Sequence, residues 1–94
     1  MKTNKLYMYR EIAGEALLVP VGEATKKFNG MISLPETAAF IWKRIDTAGS
    51  VQDIVKELVA EYEVDETTAT QDVLDFLHDC VNREMVFDVP ELNK

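Results

Sequence analysis

Apolar and polar positions change period about a third of the way along this chain. Early on, short apolar runs alternate with turn residues: Leu6-Tyr7-Met8-Tyr9, then Ala13-Gly14-Glu15, then Ala16-Leu17-Leu18-Val19. Aromatic and aliphatic runs of this length read as strands. Pro20 and Gly22 end the second run. Asn29-Gly30 marks a hairpin, because both central residues of such a turn need positive φ. Residues 31–34 are then a short third strand stopped by Pro35, and residues 26–28 extend the arm before the turn.

From residue 35 the period is helical. Ala38, Ile41, Trp42 and Ile45 follow i, i+3, i+4, i+7 and predict a helix over 35–45, with Ser33 and Glu36 as a capping box and Pro35 in the first turn. Gly49 breaks it. Ser50 caps a second helix, with Asp53 in its first turn and Val51, Ile54, Val55, Leu58 and Tyr62 on its apolar face. Only Glu63-Val64 separates it from a third helix capped by Asp65, a tight helix–turn–helix join. On that third helix Ala69, Val73, Phe76, Leu77 and Cys80 form a core-facing stripe. Leu74 and Val81 widen the apolar arc to about half the circumference, more than the ~100° a surface helix needs. Asp72, Asp75 and Asp79 occupy the opposite flank. Met85-Val86-Phe87 reads as a short closing strand. The predicted fold class is α+β: three N-terminal antiparallel strands followed by three helices, winged helix-turn-helix-like. One domain over 1–94 is expected, with its core at about 6–87 and a loose tail at 88–94.

Charge changes what that shape can do. The chain has 94 residues and a net charge of −7, yet residues 1–47 hold seven Lys/Arg against five Asp/Glu, while residues 48–94 hold three against twelve. Between Glu61 and Glu84 there are eight Asp/Glu and one Arg, Arg83. A DNA-reading helix supplies Arg, Lys, Asn or Gln to phosphates and base edges, so this one is expected to repel nucleic acid. Lys26-Lys27 beside the turn do not offset that. No run of 18 apolar residues exists, so no membrane span is expected. The N-terminal run is interrupted by charge too soon for a signal segment. With Cys80 the single cysteine, the cytoplasm is the expected address.

Candidate chemistry is sparse. His78 and Cys80 lie about 200° apart around a helix and face different ways. Asp75 and His78 alone cannot complete a metal site, and the aspartate row lacks a calcium loop. Cys80 reads as core and His78 as solvated. Trp42 is read as core rather than as a stacking platform. No phosphate loop and no nucleophile–base pair stand out, so neither catalytic residue, metal nor cofactor is expected.

The runs Glu15 to Gly22 and Ile32 to Trp42, then Ser50 to Val55, the junction Glu61 to Asp65, and Asp72 to Leu77, taken in order, resemble the PqqD-like family of coenzyme PQQ synthesis. Its domain type is the RiPP recognition element. The resemblance covers residues 6–87. It departs where the family carries Leu-Asn-Glu-Thr-Gly and this chain has Leu34-Pro35-Glu36-Thr37-Ala38. The resemblance implies a non-catalytic adaptor whose partners are a precursor (leader) peptide and a modifying enzyme, often a radical SAM protein. It implies that the leader adds as a strand beside the third strand and packs on the third helix. The candidate peptide-binding residues are accordingly Met31, Ile32, Ser33 and Leu34 on the strand, with Thr70, Leu74, Leu77 and Val81 on the helix. Two other readings stand beside it. One is a winged-helix transcriptional regulator. The other is a small structural subunit or homodimer, in which Leu74 and Val81 finish the core or an interface.

Overall fold

The turn at Ala13-Gly14 sets the sheet. Both residues have positive φ (52° and 81°), the sign pattern of the primed turns whose twist matches the flanking strands. It joins β2 (Tyr7–Ile12) to β3 (Glu15–Pro20), which pair antiparallel from Tyr7↔Pro20 to Ile12↔Glu15. β4 (Ile32–Leu34) pairs antiparallel with β3, Ala16 opposite Leu34 and Leu18 opposite Ile32. The computed structural model describes residues 1–27 and 30–92.

Alternation decides which side chains meet the helices. Tyr7, Leu18 and Leu34 turn inward and are buried, with Tyr9, Ala16 and Ile32 half-buried beside them. Met8, Ile12 and Ser33 lie on the outer face, exposed. On β2 it is thus Tyr7 and Tyr9 that face the helices, and Met8 that faces away.

Three helices cover the inner face: α2 (Glu36–Arg44), α3 (Val51–Tyr62) and α4 (Glu66–Asn82). Ser50 and Asp65 cap as expected, accepting the backbone N–H of Asp53 (3.2 Å) and Thr68 (2.8 Å). Glu63 adopts the left-handed conformation and ends α3, and two residues later α4 begins to be capped. Ile41, Ile45, Ile54, Val55, Leu58, Ala69, Val73, Leu77 and Cys80 fill the interior, and Trp42 is buried with them.

The structure corrects several expectations. The capping box does not form: Ser33 is committed to β4, its hydroxyl donating weakly to Glu15 (3.4 Å), and α2 starts after Pro35 with no side-chain cap. The strand-to-strand connection before β4 contains a helical turn, α1 (Ala24–Lys27), where the sequence suggested extended arm. The expected arm over residues 26–28 and the expected Asn29-Gly30 hairpin turn fall partly outside the described residues, at Phe28 and Asn29.

The ends of the chain are tied together, which sequence periodicity did not indicate. β1 (Lys2–Thr3) pairs antiparallel with β5 (Val86–Phe87). Val89 is buried and the Glu91 carboxylate accepts the N–H of Val51 at 3.3 Å, so residues 89–91 are not a loose tail. Asp46 holds the N-terminus: it accepts from the Thr3 amide (2.8 Å), the Thr3 hydroxyl (2.6 Å) and the Lys5 ammonium (2.7 Å). Burial pushes the Asp46 carboxyl up, but the hydrogen bonds from Lys5 and Thr3 outweigh it and hold the group below its ordinary value. A carboxylate depressed in the folded state stabilises the fold above its unfolded pKa, and that contribution is lost as pH falls through the folded pKa. The Asp46 side chain is 40% exposed, so solvent screens part of the effect. Asp46→Ala is expected to cost about 1 kcal/mol at neutral pH, a drop in Tm of roughly 4–8 °C. Thermal melts of both proteins should show the gap closing as pH is lowered into the acid range.

Candidate functional site

β4 is an edge strand. Order in the sheet is β2-β3-β4, so among the described residues β4 is paired on one side only. Just ahead of it Met31 is 60% exposed; Ser33 is exposed, Ile32 half-buried and Leu34 buried. The third helix of the sequence reading is α4. Along one side of it Thr70, Leu74 and Val81 are half-buried. Leu74 and Val81 pack against the same hydrophobic cluster as Ile32 and Leu34. Leu77 differs: it is fully enclosed (0% exposed), one of the core residues that fix α4 in place. Its side chain offers no surface to a partner in this conformation, and that of Leu34 only a little (8% exposed). The other flank of α4 is acidic and exposed, with Asp75 accepting from Gln71 (2.7 Å) and Asp79 paired with Arg83 (3.3 Å).

The structure adds a feature the sequence reading missed. A cleft of about 880 Å³ lies between the hairpin end of the sheet and the α2–α3 pair. It takes Ser33 and Leu34 from β4 but no residue of α4. Thr70 instead lines a separate depression with Glu66, Thr67 and Gln71. The cleft is aromatic and charged. Phe40 and Tyr62 meet edge-to-face with ring centroids 5.4 Å apart. Arg44 lies 3.4 Å above the Phe40 ring and pairs with Glu57 at 3.3 Å. Lys43 sits 5.2 Å from the Tyr9 ring centroid and pairs with Glu11 at 2.8 Å, while the Tyr9 hydroxyl donates to Glu11 at 2.7 Å. Hydrogen bonds from Lys43 and Tyr9 pull the Glu11 carboxyl down, and Glu11 and Tyr9 in turn hold Lys43 up. Both cations of the cleft are thus neutralised by the protein's own carboxylates. The signal for this cluster is faint in sequence: Phe40, Lys43 and Arg44 lie on the flank of α2 away from the Ile41–Trp42 stripe.

The family model described as coenzyme PQQ synthesis protein D (PqqD) matches residues 11–86. The chain belongs to the PqqD family. A solved structure, "TbiB1 in Complex with the TbiA(beta) Leader Peptide", is similar to this PqqD-family chain with a TM-score of 0.74 and 25% sequence identity, covering 94% of this chain and 100% of that one. No curated protein matches. The PqqD match starts within β2 and stops within β5, so β1 lies outside it. The α+β order of three antiparallel strands followed by helices agrees with the similar structure.

His78 and Cys80 take the environments expected of them. His78 is exposed on α4 and Cys80 is buried on another side. Among the described residues no group of three or more His, Cys, Asp and Glu stands together as a metal site. Burial, and then the charge of Asp79, pushes the Cys80 thiol up to about 12. Thiolate is the reactive form, so Cys80 is shielded twice over. Ellman's reagent at mildly alkaline pH is expected to find almost no reactive thiol in the native protein and one per chain in denaturant. Rapid reaction of the native protein would mean that α4 opens readily.

Proposed function

We propose that this chain is a non-catalytic adaptor. It binds the leader segment of a ribosomally made precursor peptide and presents it to a modifying enzyme, of the radical SAM class in the reading the resemblance supports. The leader adds as a strand to the free edge of β4, through the backbone of residues 31–34, and its apolar side chains pack on Thr70, Leu74 and Val81 of α4. The whole chain acts as one recognition domain, and its working address is the cytoplasm.

The observation that carries this reading is an edge strand, with one side unpaired among the described residues, in a PqqD-family fold similar to a leader-peptide complex. Strand addition uses backbone hydrogen bonds for affinity and side-chain pockets for selectivity. The acidic α4 supports a peptide over DNA, because nucleic-acid affinity rests on cationic contacts to phosphate. No helix of the described residues is long and apolar enough to cross a membrane.

Isotope-labelled protein titrated with a synthetic leader, taken from a precursor reading frame beside this gene, is expected to shift amide signals of residues 31–34 and 70–81. Leu74→Asp should weaken binding at least ~10-fold, equivalent to about 1.4 kcal/mol, while its far-UV circular dichroism stays native. Met31→Asp, at an exposed position, serves as a second variant that leaves the core untouched. Unfolding of Leu74→Asp together with unaltered binding by Met31→Asp would remove this groove assignment. A stable dimer burying Leu74 and Val81 would favour a structural subunit instead.

A further inference from the structure

The cleft beside β4 has an uneven charge balance. Lys43 and Arg44 are paired with Glu11 and Glu57. Glu36, the first residue of α2, and Glu61, near the end of α3, are exposed and have no ion-pair or hydrogen-bond partner among the described residues. Both act on the half-buried Tyr62, whose hydroxyl is pushed up first by burial and then by the charges of Glu36 and Glu61. One mouth of the cleft therefore combines two free carboxylates with the Phe40–Tyr62 aromatic pair. The Phe40 face is already covered by Arg44. Tyr62 supplies the remaining aromatic surface. Carboxylates around an aromatic ring suit a flexible cation, through ion pairing and cation–π attraction.

Its position says which partner. Ser33 and Leu34 line the cleft and belong to the strand proposed to pair with the leader; Pro35 and Glu36 continue directly from them. Tyr62 ends α3, and Asp65 three residues on caps α4. A peptide lying between β4 and α4 would leave the groove at this corner. We propose that this corner is a subsite for a basic side chain of the leader: Glu36, Glu61 and Tyr62 hold a lysine or arginine adjacent to the leader's strand-forming apolar segment. The inference rests on the peptide-binding reading and adds a selectivity rule to it.

The test uses the full chain and a phage-displayed library of random peptides, so that no leader need be known. Selected peptides are expected to carry an apolar strand-like segment with Lys or Arg at one end. Panning on the Glu36→Gln/Glu61→Gln variant should keep the apolar segment and lose the basic preference. A selected peptide made synthetically should bind this variant about fivefold more weakly, the scale of two solvent-screened ion pairs, and the loss should shrink at high salt. Both positions are exposed, so the variant is expected to melt like the parent protein. Selection of apolar peptides with no basic preference, or a preference unchanged by the double variant, would overturn the subsite and leave the peptide-binding reading standing. Selected peptides whose binding shifts no amide of residues 31–34 or 70–81 would overturn both.

Discussion

Backbone N–H and C=O groups must be paired or wet, and among the described residues β4 is paired on one side only, which leaves its other side to water or to an added strand. Proteins often blunt such edges. This one keeps the strand to three residues and stops it at Pro35, which limits what can add to it without closing it. The remainder of the fold supports that edge. β3 sets the register of β4 through Ala16↔Leu34 and Leu18↔Ile32. Leu34 turns inward into the core, which fixes which strand face looks outward. The core stripe of Ala69, Val73, Leu77 and Cys80 then holds α4 against the other helices, leaving Leu74 and Val81 half-covered.

A winged-helix outline is a shape, and shape alone does not choose between DNA and peptide. Charge chooses. A helix at the α4 position of a DNA reader faces a polyanion and needs cations; α4 carries Asp72, Asp75 and Asp79 on its exposed flank, with Arg83 at its end drawn to Asp79. The cations of the cleft, Lys43 and Arg44, are held by Glu11 and Glu57.

Local signals were legible in the sequence; long-range ones were not. The caps at Ser50 and Asp65 and the tight turn after α3 each depend on residues within one or two turns and appear as read, while of the α4 stripe Ala69, Val73, Leu77 and Cys80 are buried and Phe76 is half-buried. Ser33 misled because the same Ser-x-x-Glu spacing that makes a capping box also fits a strand end followed by a helix start; pairing with Leu17 of β3 decided the outcome. The β1–β5 pair is invisible to periodicity, since two-residue strands from opposite ends of the chain carry no pattern. Asp46 and Thr3 lie 43 positions apart, Lys43 and Glu11 more than thirty, and neither contact has a spacing to read. Leu77 was grouped with Leu74 and Val81 because they share a helix flank. The helical period had already put it in the core stripe, and it is 0% exposed there; only its second role, as a groove residue, came from the resemblance.

A three-residue strand also bounds the energetics of any peptide that adds to it. Each backbone hydrogen bond contributes about 0.5–1.5 kcal/mol net, and only a few fit along residues 31–34. Micromolar affinity needs about −8 kcal/mol after the cost of ordering a flexible chain. The backbone therefore supplies register, and affinity has to come from side chains. Burying apolar groups against Leu74 and Val81 adds roughly 25 cal/mol per Å². That term is nearly blind to sequence beyond spacing. Discrimination between peptides of similar apolar pattern must rest on polar contacts near the ends of the strand. The Glu36–Glu61–Tyr62 corner is a place where, among the described residues, this fold leaves two carboxylates without a partner beside the proposed path, which is why peptide selectivity is best sought there rather than along β4 itself.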